Sequence, residues 1–358
     1  MRILQVITSL QIGGAEKLIA EITPMLRDKG HQVDVLAFDG VETHFTQMLK
    51  QQGIKIISFG KNCNVYNPLF IFKLAKLMRH YDIVHTHNTA PQLFAAIASL
   101  LCSVVLCTTE HNTSNRRRGW KWYARVDRWM YCRYKKVICI SNQAEQNLKE
   151  YHPSLANTCT IFNGVDVAKF HNATPISGLK PAGKFVVAMV AGFRYQKDQE
   201  TLIRAFSHLD KDKFQLWLVG DGDRRSLLEQ LVSDLNLQEQ VQFLGLRSDI
   251  PELLHSADAV CMSSHFEGLS LSNIEGMSAG KPFIASDVDG LREVTKDFGI
   301  LFPHGDDKAL AAEIERLASD PDHYRAVADR CYRRALQFDI SKMVDQYNQV
   351  YLSIANTK

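Results

Sequence analysis

The chain has 358 residues, of which 46% are hydrophobic, too many for one ordinary α/β core and enough to bury two. Its 42 basic and 39 acidic side chains leave a formal charge of +3, which excludes a polyelectrolyte built for nucleic acid and makes any anion site local. The eight cysteines form no Cys-x-x-Cys pair and have no histidine in zinc-ligand register, so reduced, mostly buried thiols of a cytosolic protein are expected.

From the first residue, short β-branched runs alternate with amphipathic stretches: RILQVIT, GAEKLIAEITPMLRDKG, HQVDVLAF, FTQMLKQQG, IKIISF. This alternation predicts βαβ units around a parallel sheet. The N-terminal run lacks the longer apolar core and cleavage site of a signal peptide, and no window reaches the roughly 20 apolar residues of a membrane span, so a cytoplasmic location is expected. After strand one, Gly13-Gly14-Ala15-Glu16 opens a helix. It reads either as a simple tight turn or as a backbone that admits a phosphate. Neither G-x-G-x-x-G nor a P-loop signature is present there, which argues against dinucleotide and kinase-type ATP sites.

The pattern continues through DIVHTH, VVLCTTEH, KKVICIS and TCTIFNG. His85 and His87 are expected on opposite faces of their strand, so that at most one meets a ligand. His111, in Glu110-His111-Asn112 at a strand end, is the choice for polar substrate contact or proton handling. Residues 115–136, NRRRGWKWYARVDRWMYCRYKK, carry nine Arg or Lys, six aromatics and one Asp. Basic residues interleaved with Trp and Tyr suit an anionic membrane surface or a lipid diphosphate, or else form a partly buried helix with snorkelling cations.

Pro, Gly and small polar residues break the pattern at 171–184, which is read as a linker. A first domain over 1–166 and a second over 167–339 are expected. The second restarts with KFVVAMVAG, FQLWLVG, VQFLG, DAVCMSS and KPFIAS. Helical stretches follow at 308–336 and 340–355, and a final helix over about 340–358 is expected to return to the first domain. Two open parallel sheets leave a cleft, with ligands bound beyond the carboxyl ends of the strands. Arg194 and Lys197 follow the first strand of the second domain; cations near a helix start oppose its dipole, and a diphosphate would compensate them. The Asp221/Asp223 and Asp287/Asp289 pairs hint at a metal, discounted because the two cations already serve the phosphates. In EGLSLSNIE, Ser272 and Glu275 read as a capping box, which would leave Glu267 a solvated carboxylate; alternatively both carboxylates hold a ligand.

Taken together, GGAE at 13–16, TEHN at 109–112, FNGVD at 162–166, AGFRYQKD at 191–198, LVGDG at 218–222, FLGLRSDIPELL at 243–254 and EGLSLSNIEGMSAGKPFIAS at 267–286 resemble the retaining, GT-B-fold glycosyltransferases of family 4. The likeness runs in order over nearly the whole chain. It implies an α/β GT-B fold, with two Rossmann-like doubly wound domains facing a central cleft. It also implies that Glu267 contacts donor-sugar hydroxyls and Glu275 the nucleotide ribose, while Arg194 and Lys197 grip the donor diphosphate, which Gly14 approaches from the opposite domain. Leu246 and Arg247 would lie beside the nucleobase, Gly268, Leu269, Ser270 and Leu271 would line the donor, and His111 would sit near the donor sugar and the acceptor. His111, Arg194, Lys197 and Glu267 form the implied catalytic set. Departures from the common pattern are Phe193-Arg194 in place of Gly-Arg, and Ser270 to Ser272 in place of a Gly/Pro-containing run.

The expected function is metal-independent, retaining transfer of a hexosyl or N-acetylhexosaminyl group from a UDP- or GDP-linked sugar, with no cofactor. The acceptor is expected to be a saccharide or a lipid-linked molecule of bacterial surface polysaccharide synthesis, with the enzyme peripheral on the inner membrane face through 115–136 and no nucleic acid as partner. Front-face attack, with the leaving phosphate accepting the acceptor's proton, is the expected mechanism. The alternatives are a nucleotide-sugar epimerase or phosphorylase on the same frame, or a non-catalytic sugar-binding protein.

Overall fold

The computed structural model describes residues 1–11, 13–61, 64–111 and 123–355. They fold into two compact units, Met1–Asn163 with Ser341–Lys358, and Gly164–Ile340. In the first unit, strands β1 (Arg2–Ile7), β2 (Gln32–Ala37), β3 (Ile56–Ser58), β4 (Ile83–His87), β5 (Val105–Glu110), β6 (Lys136–Cys139) and β7 (Thr158–Thr160) form one sheet in the order β3-β2-β1-β4-β5-β6-β7. The described pairings are parallel, as in β1 with β2, where Val6 lies opposite Leu36. Ile3, Leu4, Val6 and Ile7 are fully buried, which explains why the strand reads as a continuous apolar run rather than an alternation.

The second unit carries β8 (Phe185–Val190), β9 (Phe214–Val219), β10 (Val241–Gly245), β11 (Ala259–Met262), β12 (Phe283–Ser286) and β13 (Ile300–Phe302), in the order β10-β9-β8-β11-β12-β13. In β8 and β9 the alignment of Val187 with Leu216 and Met189 with Leu218 places apolar side chains side by side, all of them buried. Strand β13 was not among the expected strands; its three residues are too few to show a period.

The segment 171–184 is not a linker, because it is fastened within the second unit. Ile176 N–H donates to Ser256 Oγ (2.8 Å), and Lys180 pairs with Asp258 (2.6 Å). The chain instead enters this unit at Asn163/Gly164 and leaves it at Ile340/Ser341. Entry and exit lie side by side: Val165 N–H donates to Phe338 O and Ile340 N–H to Val165 O, both at 2.9 Å. A Cβ on Gly164 would stand 2.7 Å from Ile340 Cα, so only glycine permits this approach.

The stretch 308–336 is two helices, Asp307–Ser319 and Pro321–Ala335. Asp320 accepts from the N–H groups of Asp322 and His323, and Pro321 opens the second helix where its missing N–H costs nothing. The last helix, Ile340–Ala355, buries Met343, Val344, Tyr347, Tyr351 and Ile354, spaced to make one face. Tyr351 accepts from Gln5 Nε2 of β1 (3.1 Å). Among the described cysteines all are free, and Cys107, Cys139, Cys261 and Cys331 are buried. No helix of the described residues is long and apolar enough to cross a membrane.

Candidate functional site

In the second sheet the strand order reverses between β8 and β11. In open parallel sheets, ligands bind beyond the strand ends at such a reversal. The segment after β8 is set by a close backbone approach to the turn after β9. Phe193 N–H donates to Asp221 O (3.0 Å). A Cβ on Gly222 would come within 2.4 Å of Phe193 O, and one on Gly220 (φ +138) within 2.1 Å of Ala191 O. These glycines let the two strand ends touch, and Phe193, 1% exposed, anchors the segment from below. Arg194 therefore stands exposed ahead of a single 3-10 turn, Tyr195–Lys197. Asp198 follows in the left-handed region (φ 47) and caps the helix Gln199–Phe206 by accepting from Thr201 N–H.

The segment after β11 is stitched to this one. Ser263 Oγ donates to Asp198 O (2.6 Å), and His265 N–H to Gln196 O (2.8 Å). Lys197 Nζ then lies 2.5 Å from Glu267 Oε1, with the side chains 21% and 7% exposed. Ser264 Oγ donates to the same carboxylate oxygen (2.7 Å), and Gln196 Nε2 approaches the other at 3.4 Å. Glu267 is thus no solvated loop carboxylate. Gly290 (φ +82), in the turn after β12, supports it, because any Cβ there would sit 2.1 Å from Gly268 O and 2.5 Å from Glu267 O. Ser286 Oγ also donates to Ser264 O (2.6 Å). Sequence reasoning missed Ser264, Gln196 and Gly290; the turn signal VDG marked only the last.

The capping-box reading of Ser272 and Glu275 fails. The helix is Leu271–Ser278, and its cap is Ser270, which accepts from Asn273 N–H. Starting earlier, the helix carries Glu275 beyond its first turn, away from the N–H groups a cap would satisfy. Gly268 and Leu269 lead into this start. Just after β10, Leu246 is 81% exposed, whereas the Arg247 guanidinium is engaged in its own turn, with Nε 2.8 Å and Nη2 2.5 Å from the Asp249 carboxylate. That pairing holds the Asp249 carboxyl below its usual range and pushes Arg247 up. The D-x-D carboxylates act locally too: Arg292 bonds both Asp287 (2.5 Å) and Asp289 (3.0 Å), and Asp221 accepts from Gly222 N–H (2.8 Å).

In the first unit the order reverses between β1 and β4. Gly14 begins the helix Gly14–Asp28 with no side-chain cap, and a Cβ on it would meet nothing within 4 Å. His85 and His87 do not take opposite faces. Residues two apart on a strand share a face, and their rings lie 4.3 Å apart, both fully buried. His87 Nδ1 lies 2.8 Å from His111 Nε2, and His87 Nε2 lies 2.8 Å from Gln5 Oε1. His85 bridges Tyr351 Oη (2.6 Å) and Thr109 Oγ1 (2.8 Å). Desolvation lowers His111 to about 4 and His85 to about 3, and holds His87 well below the usual imidazole value. All three are neutral near pH 7, so His111 hydrogen-bonds as a neutral imidazole. In the basic stretch, 115–122 lie outside the described residues. The helix Tyr123–Cys132 buries Asp127, Met130 and Tyr131 and exposes Arg125, Arg128 and Trp129.

Two doubly wound parallel units, the second with a partly buried lysine–carboxylate pair at its strand reversal, define the GT-B class of enzyme. The profile described as Glycosyl transferases group 1 matches residues 172–334, and that described as Glycosyltransferase Family 4 matches 12–169. The chain belongs to the group 1 glycosyltransferases. It is 29% identical over 290 residues, 76% of each chain, to the putative glycosyltransferase EpsD of Bacillus subtilis. It is 28% identical, over 80% of this chain and 79% of the other, to an Escherichia coli UDP-Gal:alpha-D-GlcNAc-diphosphoundecaprenol alpha-1,3-galactosyltransferase. Among solved structures, Anabaena HepE in complex with UDP superimposes with a TM-score of 0.86 at 25% identity, covering 99% of this chain and all of that one; HepE is also known in complex with UDP-glucose.

Proposed function

We propose that this enzyme transfers a hexosyl or N-acetylhexosaminyl group from a UDP-linked sugar to a saccharide or lipid-linked acceptor of bacterial surface polysaccharide synthesis, with retention and without a metal. The observation that carries the reading is the Lys197–Glu267–Ser264 cluster at the strand reversal of the second unit. The UDP and UDP-glucose complexes of HepE and the donor and lipid-linked acceptor named for the E. coli relative favour a uridine donor. No relative described above is named as an epimerase, a phosphorylase or a sugar-binding protein.

In this reading Lys197 and Arg194 hold the donor diphosphate. Glu267 accepts from donor-sugar hydroxyls, its orientation fixed by Ser264, and Glu275 takes the ribose hydroxyls, as carboxylates bind vicinal diols well. Leu246 offers an apolar surface to the base, and the residues 268–271 line the sugar. The leaving phosphate oxygen takes the acceptor's proton as attack proceeds on the same face through an oxocarbenium-like state, and the two cations stabilise the charge that develops. His111, neutral, hydrogen-bonds the sugar or the acceptor. Exposed Arg125, Arg128 and Trp129 suit contact with an anionic membrane surface. The test is a thermal-shift panel of nucleoside diphosphates followed by product analysis: UDP is expected to raise the midpoint most, and a transfer product to retain the donor's anomeric configuration. A larger shift with another base, or an inverted product, would overturn the donor or the mechanism respectively.

A further inference from the structure

Three ligand-type side chains meet beside the Lys197–Glu267 pair and take no part in the proposed transfer. Asp198 comes from the turn after β8, His265 from the segment after β11 and His304 from the turn after β13, and their donor atoms lie within 4.8 Å of one another. His265 Nδ1 is 2.7 Å from His304 Nε2 and 3.6 Å from Asp198 Oδ2. We propose that this trio is a binding site for a borderline transition-metal dication, with Zn²⁺ as the representative ion.

Three features support the assignment. The donor set, two imidazoles and one carboxylate, is the one such ions prefer over Mg²⁺ or Ca²⁺, which seek oxygen alone. The separations suit it: tetrahedral Zn²⁺ with bonds near 2.0–2.2 Å holds neighbouring ligand atoms about 3.3 Å apart, so the two imidazoles open by about 0.6 Å and the carboxylate closes by about 0.3 Å. The Asp198 carboxylate is also held by an outer partner, as ligands are at established metal sites, and the two histidines are held by their backbones. Thr201 donates its N–H to Asp198 Oδ1 (3.2 Å) and its hydroxyl to Oδ2 (2.6 Å). His265 is fixed by its N–H bond to Gln196 O, and its ring packs on Tyr195 at 4.5 Å. The His304 turn is closed by Asp306 N–H on Pro303 O (3.0 Å) and by left-handed Gly305. Asp198 is 4% exposed at its side chain and His265 23%, while His304 is exposed, so an ion enters from the His304 side. Three protein ligands leave a fourth position to water or another small donor. The bound ion ties together the turns after β8, β11 and β13.

The test uses the full chain stripped of metal and titrated with Co²⁺ and Zn²⁺, the latter against a chromophoric chelator. One tight equivalent is expected, with the visible bands of tetrahedral Co²⁺ and no sulfur-to-cobalt charge transfer, and with a raised unfolding midpoint in the presence of Zn²⁺. His304→Ala, at an exposed turn, is expected to keep the metal-free midpoint and to weaken Zn²⁺ at least about tenfold. Should that variant unfold, His304→Gln serves in its place. Unchanged affinity in His304→Ala and in His265→Ala, a thiolate charge-transfer band on the tight equivalent, or no tight equivalent in the parent chain would each overturn the site. UDP binding and transfer are read separately, so failure here leaves the transferase assignment untouched.

Discussion

Replacing Lys197 with Ala separates the structural from the chemical part of the Lys197–Glu267 pair. Two unit charges about 4 Å apart at an effective dielectric near 20 attract by about 4 kcal/mol, but the lysine is 21% exposed and both ions give up hydration to meet. The expected cost lies between the 0.2–1 kcal/mol of an exposed pair and the roughly 3–5 kcal/mol of removing one partner from a buried pair, so about 2 kcal/mol is assigned. Glu267 keeps Ser264 and Gln196, which limits the loss further. Urea unfolding of Lys197→Ala, Glu267→Gln and the double variant gives the coupling; the double variant is expected to lose less than the sum of the singles. Turnover under folded conditions is expected to fall more than tenfold in Lys197→Ala, because the departing diphosphate loses a cation that stability alone does not report. Zero coupling would mean that the pair does not form in solution, and near-normal turnover would remove Lys197 from the diphosphate.

The buried histidines make stability depend on pH. His85 and His111 fall to about 3 and 4 in the folded chain against about 6.5 unfolded. Between these values the unfolded chain binds the extra protons, so stability is complete above about pH 6.5 and declines as pH drops towards 4. One fully buried histidine contributes about 1.4 kcal/mol per pH unit, or about 2 kcal/mol from pH 6.5 to 5; urea midpoints that stay flat across that window would refute the buried neutral network. Gly290→Ala, with φ +82 and a Cβ 2.1 Å from Gly268 O, is expected to cost at least about twice as much stability as Gly178→Ala, whose φ is +75 but whose Cβ would meet nothing within 4 Å. Equal losses in chemical denaturation would show that the Glu267–Gly268 backbone does not rest on Gly290. Flotation with vesicles is expected to depend on acidic lipid and to weaken when Arg125 and Arg128 are replaced by Glu; lipid-independent behaviour would discard the membrane contact.

The βαβ alternation, the doubly wound sheets and the placing of Arg194 and Lys197 after a strand were legible because strands buried on both faces write continuous apolar runs. The meeting of Lys197 with Glu267 was not, since it depends on which strands are neighbours, and the β8–β11 adjacency leaves no local trace. The same holds for Asp198, His265 and His304, brought together from three separate turns. At EGLSLSNIE the spacing of Ser272 and Glu275 pointed to a capping box, whereas the helix starts two residues earlier behind Ser270. The His85/His87 expectation misapplied the strand period. The mistaken linker at 171–184 shows that Pro and Gly mark turns as readily as domain boundaries.

Tyr347 and Tyr351, which close over Thr109 and His85, leave the ribosome only after the whole Gly164–Ile340 unit. The Gly164–Ile340 unit is synthesised in one piece and can finish folding while the earlier residues still wait for their final helix. Until then β1, β4 and β5 keep an uncovered polar flank, which only the helix Ile340–Ala355 seals.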